Sequence, residues 1–241
     1  MKCAVISDVH GNAEALNAVL HDIGRRKADS ILFLGDAVGY GPDPNECVRT
    51  LKAACSVLLA GNHDWAAIGL TEKEYFNPYA RAAIEWTAKV LDPDCLKSVR
   101  DFPLTHRRAE DSLFLVHATP KEPEQWHYLM SLWDAEINFE CFDEKVCLLG
   151  HSHQPLIIKR FPSGEMVAER GETTFGRTER YIINVGSVGQ PRDGDPRACY
   201  VIVNEDGVRL HRVAYDIGET QRKMAEAGLP YPLIERLSRG R

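Results

Sequence analysis

Asp8 and His10 stand two residues apart just after a short apolar run, Cys3 to Ile6. Side chains two apart in an extended segment share a face, so a carboxylate and an imidazole there can hold one divalent ion. Gly35-Asp36 closes a second apolar run, Ile31 to Leu34, and adds a carboxylate able to bridge two ions. A third run, Val57 to Ala60, ends in Gly61-Asn62-His63-Asp64. The Asn62 amide oxygen is a neutral hard ligand, and His63 beside it is an acid or base that need not touch metal. His117 follows the run Ser112 to Val116, and Gly150-His151-Ser152-His153 follows Val146 to Leu149. Taken singly, each of these reads as an ordinary turn or packing residue. Together they put ligand-type side chains at five run ends. Oxygen and imidazole donors without a thiolate suit Mn²⁺, Fe or Zn²⁺ in a working site better than a structural zinc. Two divalent ions per chain are expected, Mn²⁺ first, with Fe, Zn²⁺ or Ni²⁺ as alternatives. His21, His106, His127 and His211 lie outside these motifs and read as structural or surface residues.

The elements that must carry these side chains are legible from periodicity. Ala13, Leu16, Leu20 and Ile23 recur at helix spacing behind Asn12, a suitable N-cap. Asp43-Pro44 opens a second helix with Cys47, Val48 and Leu51 on one face. The first third therefore reads strand–helix–strand–helix–strand, with polar residues at each strand's C-terminal end, where parallel α/β sheets bind ligands. Residues 65–105 form a helical insert, with Tyr79, Ala83, Trp86 and Val90 as one stripe and a short helix from Asp92-Pro93. Residues 119–145 are aromatic-rich and irregular, a flap bearing Trp126, His127, Tyr128 and Trp133. Strands follow at Leu156 to Phe161, Tyr181 to Val185, Cys199 to Val203 and Val208 to Val213, with turns at Pro162-Ser163-Gly164 and Glu205-Asp206-Gly207. The tail, Ile217 to Leu237, reads as two short helices broken at Gly228-Leu229-Pro230. We expect one domain over residues 1–241.

Composition narrows the function classes. A 44% hydrophobic and 27% charged chain is ordinary for a soluble globular protein. The formal charge of -6 supplies no basic footprint for duplex nucleic acid, but leaves a small phosphoester as substrate. No apolar run is long enough to span a bilayer, and the opening residues lack a signal-peptide core, so no membrane partner is expected. Seven cysteines without a CxxC pair read as reduced thiols of a cytoplasmic protein.

The ordered series DVHGN, GDAVGYG, GNHD, VHA and GHSH, from Asp8 to about Arg197, resembles the calcineurin-like metallophosphoesterases, and most closely their small bacterial and archaeal phosphodiesterase-like members. The resemblance implies an α/β fold, a four-layer αββα sandwich of mixed sheets flanked by helices. It implies that Asp8, His10 and His153 hold a first metal, that Asn62, His117 and His151 hold a second, and that Asp36 bridges them. His63 matches the catalytic histidine outside the inner coordination shell, with Asp64 placed to polarise it. Asn184 to Arg192 either matches the family's glycine-rich loop or is a strand and tight turn. In the first case Arg192 grips a phosphate oxygen bidentately. Asn12 and Tyr40, adjacent to ligand motifs, are further candidates for substrate contact. The implied activity is phosphoester hydrolysis by a two-metal-activated hydroxide, with phosphodiesters favoured. Phosphomonoester or protein phosphatase activity and dinucleoside polyphosphate hydrolysis are alternatives. A non-catalytic scaffold and a metal-binding regulatory module are the readings from other classes.

Overall fold

The computed structural model describes residues 1–241, apart from the side chain of Tyr75. Strand β1 (Cys3–Ile6) is wholly buried, as an unbroken apolar run requires. Helix α1 (Ala13–Arg26) starts where Asn12 Oδ1 accepts the Ala15 N–H at 3.0 Å, and it buries Leu16, Val19 and Ile23. Strand β2 (Ser30–Phe33) lies parallel to β1, and β3 (Val57–Leu58) lies parallel to β2, with α2 (Pro44–Ala54) crossing between them. A run of helices follows: α3 (Asn62–Ala67), α4 (Pro78–Val90) and α5 (Pro93–Arg100). Of the expected α4 stripe, Ala83 is buried and Trp86 packs against the cluster around Met224 and Tyr40, but its two ends differ. Tyr79 is half exposed and Val90 lies at the rim, whereas Ala80, Ala83, Ile84 and Thr87 face inward. Small residues let α4 sit close to its neighbours, and this outweighs the larger side chains in choosing the buried face.

Strand β4 (Thr105–Arg108) pairs antiparallel with β5 (Leu113–Val116), and β6 (Val146–Leu149) lies parallel to β5. The segment between β5 and β6 contains a helix, α6 (Leu132–Phe139), which corrects the irregular flap. Its start is a capping box: Ser131 Oγ accepts the Asp134 N–H while the Asp134 carboxylate accepts the Ser131 N–H at 2.9 Å. The remaining strands are β7 (Leu156–Arg160), β8 (Met166–Glu169), β9 (Glu172–Thr174), β10 (Arg180–Asn184), β11 (Ala198–Val203) and β12 (Gly207–Val213). Helices α7 (Ile217–Glu226) and α8 (Tyr231–Leu237) close the chain.

Two six-stranded mixed sheets result, ordered β3-β2-β1-β11-β12-β9 and β4-β5-β6-β10-β7-β8. Alternation along the strands divides the core into layers. Val5, Leu32, Leu115, Leu148, Tyr181 and Val201 meet between the sheets. On the outer face of the first sheet, Ala4, Ile6 and Phe33 pack against Leu16, Val19 and Leu51 of α1 and α2. On the outer face of the second, Phe114, Cys147 and Ile182 pack against Ala135 and Phe139 of α6. The order helix, sheet, sheet, helix is the four-layer arrangement the motifs implied. Strands β4, β8 and β9, all at sheet edges, were not expected: β4 and β9 carry no run of apolar residues, and β8 is only four residues long and largely solvent-facing. All seven cysteines are free. Among the described residues no helix is long and apolar enough to cross a membrane.

Candidate metal centre

The parallel strands β1, β2 and β3 of one sheet and β5 and β6 of the other deliver their following turns to one place. Backbone hydrogen bonds lock these turns together: Asp8 N–H donates to Gly35 O at 3.0 Å, His10 N–H to Asp36 O at 2.9 Å, and Gly150 N–H to His117 O at 2.9 Å. The result is a buried cluster of Asp8, His10, Asp36, Asn62, His63, His117, His151 and His153. Asp8, His10 and His153 bring ligand atoms within 4.8 Å of one another, as do Asp36, His117 and His151. Asp36 also belongs to a third such group, with His10 and His63. It therefore stands between the two halves of the cluster, where a bridging carboxylate would have to be. Asn62 Oδ1 lies 3.3 Å from His117 Nε2.

The second ring nitrogens reveal how the imidazoles are aimed. His10 Nδ1 donates to Val38 O at 3.1 Å, His117 Nδ1 to Leu34 O at 3.0 Å, and His153 Nδ1 to Gln190 O at 2.6 Å. A carbonyl can only accept, so in the neutral rings the proton sits on Nδ1 and each Nε2 keeps its lone pair. His151 reverses the pattern: its Nε2 meets Trp126 O at 2.9 Å, leaving Nδ1 as the free nitrogen. His10 Nε2 and His153 Nε2 thus face each other at 3.0 Å, with Asp8 Oδ1 3.2 Å from His153 Nε2. Asp8 Oδ1 is buried and has no hydrogen-bond partner. Three lone-pair donors converging without a proton between them repel one another. A divalent cation is the chemical species that resolves the conflict, and the donor set fits one.

The backbone bears the cost of this convergence. Asp8, His10, Asp36, Tyr40, His151 and His153 all have φ between 51° and 64°, in the left-handed region. Such conformations cost of order 1–3 kcal/mol each and gather where function demands them. Glycines give the room. A Cβ on Gly150 would fall on Ser7 Oγ and Asp8 Oδ2, and one on Gly39 would lie 2.6 Å from His63 Nδ1.

Burial governs the charges. It pulls His63 down to about 4 and His151 down to about 3, and it lowers His10 and His153 as well. His117 moves the other way: burial opposes its charge, but the Asp36 carboxylate raises it to about 9. Burial would raise Asp36 and Asp8, yet the surrounding imidazoles hold both carboxyls below their ordinary value.

Two expected roles are corrected. Asp64 does not polarise His63. Its Oδ2 accepts the Asp36 and Gly61 N–H groups at 2.9 and 3.0 Å and its Oδ1 accepts the Val38 N–H at 3.1 Å, while His63 Nδ1 has no partner. Asp64 instead ties together the turns that carry Asp36 and Asn62; burial and the Asp36 charge push it up to about 7 against the Gly61 and Val38 N–H donors. Asn12 serves the fold. Besides capping α1, its Nδ2 donates to Gly189 O at 2.9 Å and its Oδ1 accepts from Thr220 Oγ1 at 3.1 Å.

Tyr40, Asn62, His63, His151 and Arg192 line a cleft of about 470 Å³. His63 sits on the first turn of α3, one residue past Asn62, so their side chains diverge. The loop after β10 packs onto the first motif, with Gly189 N–H donating to Asp8 O at 2.9 Å, and this brings Arg192 to the cleft. From the flap come Trp126 and Tyr128, the latter stacked on His151 at 4.1 Å, whereas Trp133 is 68% exposed. Phe76 and Arg236 also line the cleft and were not singled out in the sequence. Neither belongs to a local motif, and Arg236 arrives from α8.

A sequence model described as calcineurin-like phosphoesterase matches residues 1–170. An uncharacterized protein of Methanocaldococcus jannaschii is 40% identical over 99% of this chain and 98% of its own length. A symmetrical bis(5'-nucleosyl)-tetraphosphatase of Coxiella burnetii is 31% identical over 55% of this chain and 46% of its own length. Among solved structures, a metallophosphoesterase from Sphaerobacter thermophilus superposes with a TM-score of 0.87 at 42% identity, covering 100% of this chain and 99% of that one. A hypothetical protein from Pyrococcus horikoshii shares the fold, with a TM-score of 0.80 at 19% identity over 100% and 98% of the two chains.

Proposed function

Because the chain belongs to the calcineurin-like phosphoesterase family, we propose that it is a dinuclear, metal-dependent hydrolase of small phosphodiesters. The observation that carries this reading is the encounter of His10 Nε2, His153 Nε2 and Asp8 Oδ1 without a proton or hydrogen-bond donor between them. Asp8, His10 and His153 would hold one ion and Asn62, His117 and His151 the other, with Asp36 shared. When bound, such ions polarise phosphoryl oxygens and make a water acidic enough to attack.

The chain's own side chains do the rest. Arg192 offers a guanidinium fork to a phosphate oxygen, and Tyr40 forms the wall beside it. His63, neutral because it is buried, donates an N–H to the leaving oxygen as the ester bond breaks and negative charge grows there. The absence of a basic footprint and the limited volume of the cleft support small substrates over duplex nucleic acid. Hydrolysis of dinucleoside polyphosphates is the second reading. The partial match to the symmetrical tetraphosphatases supports it, although the chain aligns with only about half of their length.

The test is a Mn²⁺-supplemented comparison of bis(p-nitrophenyl) phosphate, p-nitrophenyl phosphate and a dinucleoside tetraphosphate, with metal content measured on the same preparation. Fastest turnover of the diester is expected. A strong preference for the monoester overturns the diester assignment, and a preference for the tetraphosphate favours the second reading. No turnover of any of the three, with two ions bound, would leave the scaffold as the better account.

A further inference from the structure

Arg192 and Arg236 both line the cleft beside Asn62, His63 and His151. Their guanidinium carbons lie 5.6 and 5.9 Å from the centre of the same ring, Tyr40. That ring in turn touches His63 and His10, with centroids 4.4 and 4.7 Å away. The two cations are therefore one aromatic ring away from the metal-ligand cluster. Among the described residues, neither pairs with an aspartate or glutamate side chain. Arg192 Nη2 donates to Gln190 Oε1 at 2.7 Å and to the Tyr40 hydroxyl at 3.3 Å. Arg236 Nε donates to the main-chain oxygen of Arg241, and its Nη groups have no acceptor among the described residues. Glu124 lines the same cleft and pairs with neither.

Arginines on the neighbouring helices are paired with acids. On the same helix and its flank, Arg239 pairs with Glu235; on α7, Arg222 pairs with Glu219 and Glu226. At the cleft, burial disfavours the Arg236 cation and the neighbouring Arg192 charge adds to the penalty. Two partly buried like charges, with Arg192 Nη1 and both Arg236 Nη groups bonded to no acceptor among the described residues, make a receptor for a planar or tetrahedral oxyanion. The fold also fixes them in place. Leu233 and Leu237 of α8 pack with Met224, Ala80, Ala83 and Tyr40, so α8 and the Tyr40 ring form one apolar unit.

We propose that Arg192 and Arg236 form a subsite for a second phosphoryl group. The substrate is then a phosphoester or phosphoanhydride whose reacting phosphorus lies at the metal cluster, while a neighbouring phosphate is held across Tyr40. The inference rests on the hydrolase reading for the placement of the first phosphate. It adds a specificity determinant on α8, beyond residues 1–170 that the family model covers.

The experiment measures binding, so that it stands apart from turnover. Calorimetric affinities for inorganic pyrophosphate and inorganic phosphate are taken on Mn²⁺-loaded protein, wild type and Arg236→Gln, with metal content checked after each titration. Glutamine keeps a polar side chain on a half-buried helix position and removes the charge. A lost charge-assisted pair corresponds to about 10- to 100-fold. Pyrophosphate should bind wild type more tightly than phosphate and lose about that factor in Arg236→Gln, while phosphate affinity changes by less than about threefold. Equal affinities for the two anions in wild type overturn the subsite, as does an equal loss of both in the variant. If the protein binds pyrophosphate in this way but turns over no phosphoester, the proposed activity fails and the subsite stands. If the activity holds and Arg236→Gln lowers kcat/KM equally for bis(p-nitrophenyl) phosphate and a dinucleoside tetraphosphate, the subsite fails and the activity stands.

Discussion

Single side chains at this centre have separable duties because each is held by different partners. His63 has a buried Nδ1 with no partner, and burial keeps it neutral near pH 7. Losing one preorganised donor to a developing oxyanion costs about 10²- to 10³-fold in kcat. His63→Ala should show that loss with metal content unchanged by elemental analysis. His63→Asn should recover part of it, since the amide still donates, whereas a role requiring full proton transfer would give no recovery. Asp36→Asn should act differently. Asp36 is shared between the two halves of the cluster, and its Oδ1 also accepts the His63 N–H at 2.8 Å. We expect reduced occupancy of both metal positions and loss of turnover together. Retention of full metal content would remove the bridging assignment.

Elements position these groups through contacts that no single motif records. Helix α8 is seven residues long, and Arg236 lies beside the apolar face formed by Leu233 and Leu237. A helix this short has little stability of its own, so its docking rests on that apolar face. Leu233→Ala should cost about 2–5 kcal/mol if the whole fold feels the cavity. If α8 opens locally instead, global stability in urea changes little while hydrogen exchange in α8 accelerates. In both cases pyrophosphate affinity should fall alongside. The first motif and the β10 loop are likewise one unit, because Gly189 and Val188 donate to Asp8 O and Ser7 O. The strand ends were legible as ligand carriers from residue type alone. The polar strand β4 and helix α6 were not, since neither announces itself by a long apolar run.

The whole molecule stores a pH dependence in its buried imidazoles. In metal-free protein, His10, His63, His151 and His153 have folded pKa values below 6.5, so the unfolded chain binds more protons between those values and 6.5. Stability must therefore rise with pH from about 4 to about 6.5. Asp8 and Asp36, held low in the fold, act in the same direction further down the acid range. Asp64 and His117 oppose them: Asp64 loses its contribution as pH rises from 3.8 through about 7, one group against four imidazoles, while that of His117 is complete below 6.5 and is lost as pH rises through about 9. Melting curves in chelator should peak near neutrality and decline on both sides. Added Mn²⁺ should raise Tm more at about pH 8 than at about pH 5, where protons compete for the imidazoles. A Tm independent of pH across this span would mean that the cluster is not buried as described.

The sequence by itself determined which chemical types stand at the strand ends, and in what order. A strand followed by Asp, Asn or His is a local fact, and five of them in series resembled one family whose sandwich the chain does adopt. Only the tertiary structure decided how those residues are used. Asp64, next to His63 in sequence, turns its carboxylate to the backbone of Asp36, Val38 and Gly61 instead. Asn12, inside the first motif, is consumed in capping α1 and in holding Gly189. Arg236, nearly two hundred residues after Tyr40 in sequence, shares the Tyr40 ring with Arg192. The physical reason is the same in each case. A side chain's residue type states what it can bond, but its partners are chosen by the packing of distant elements, which brings every buried donor and acceptor into competition.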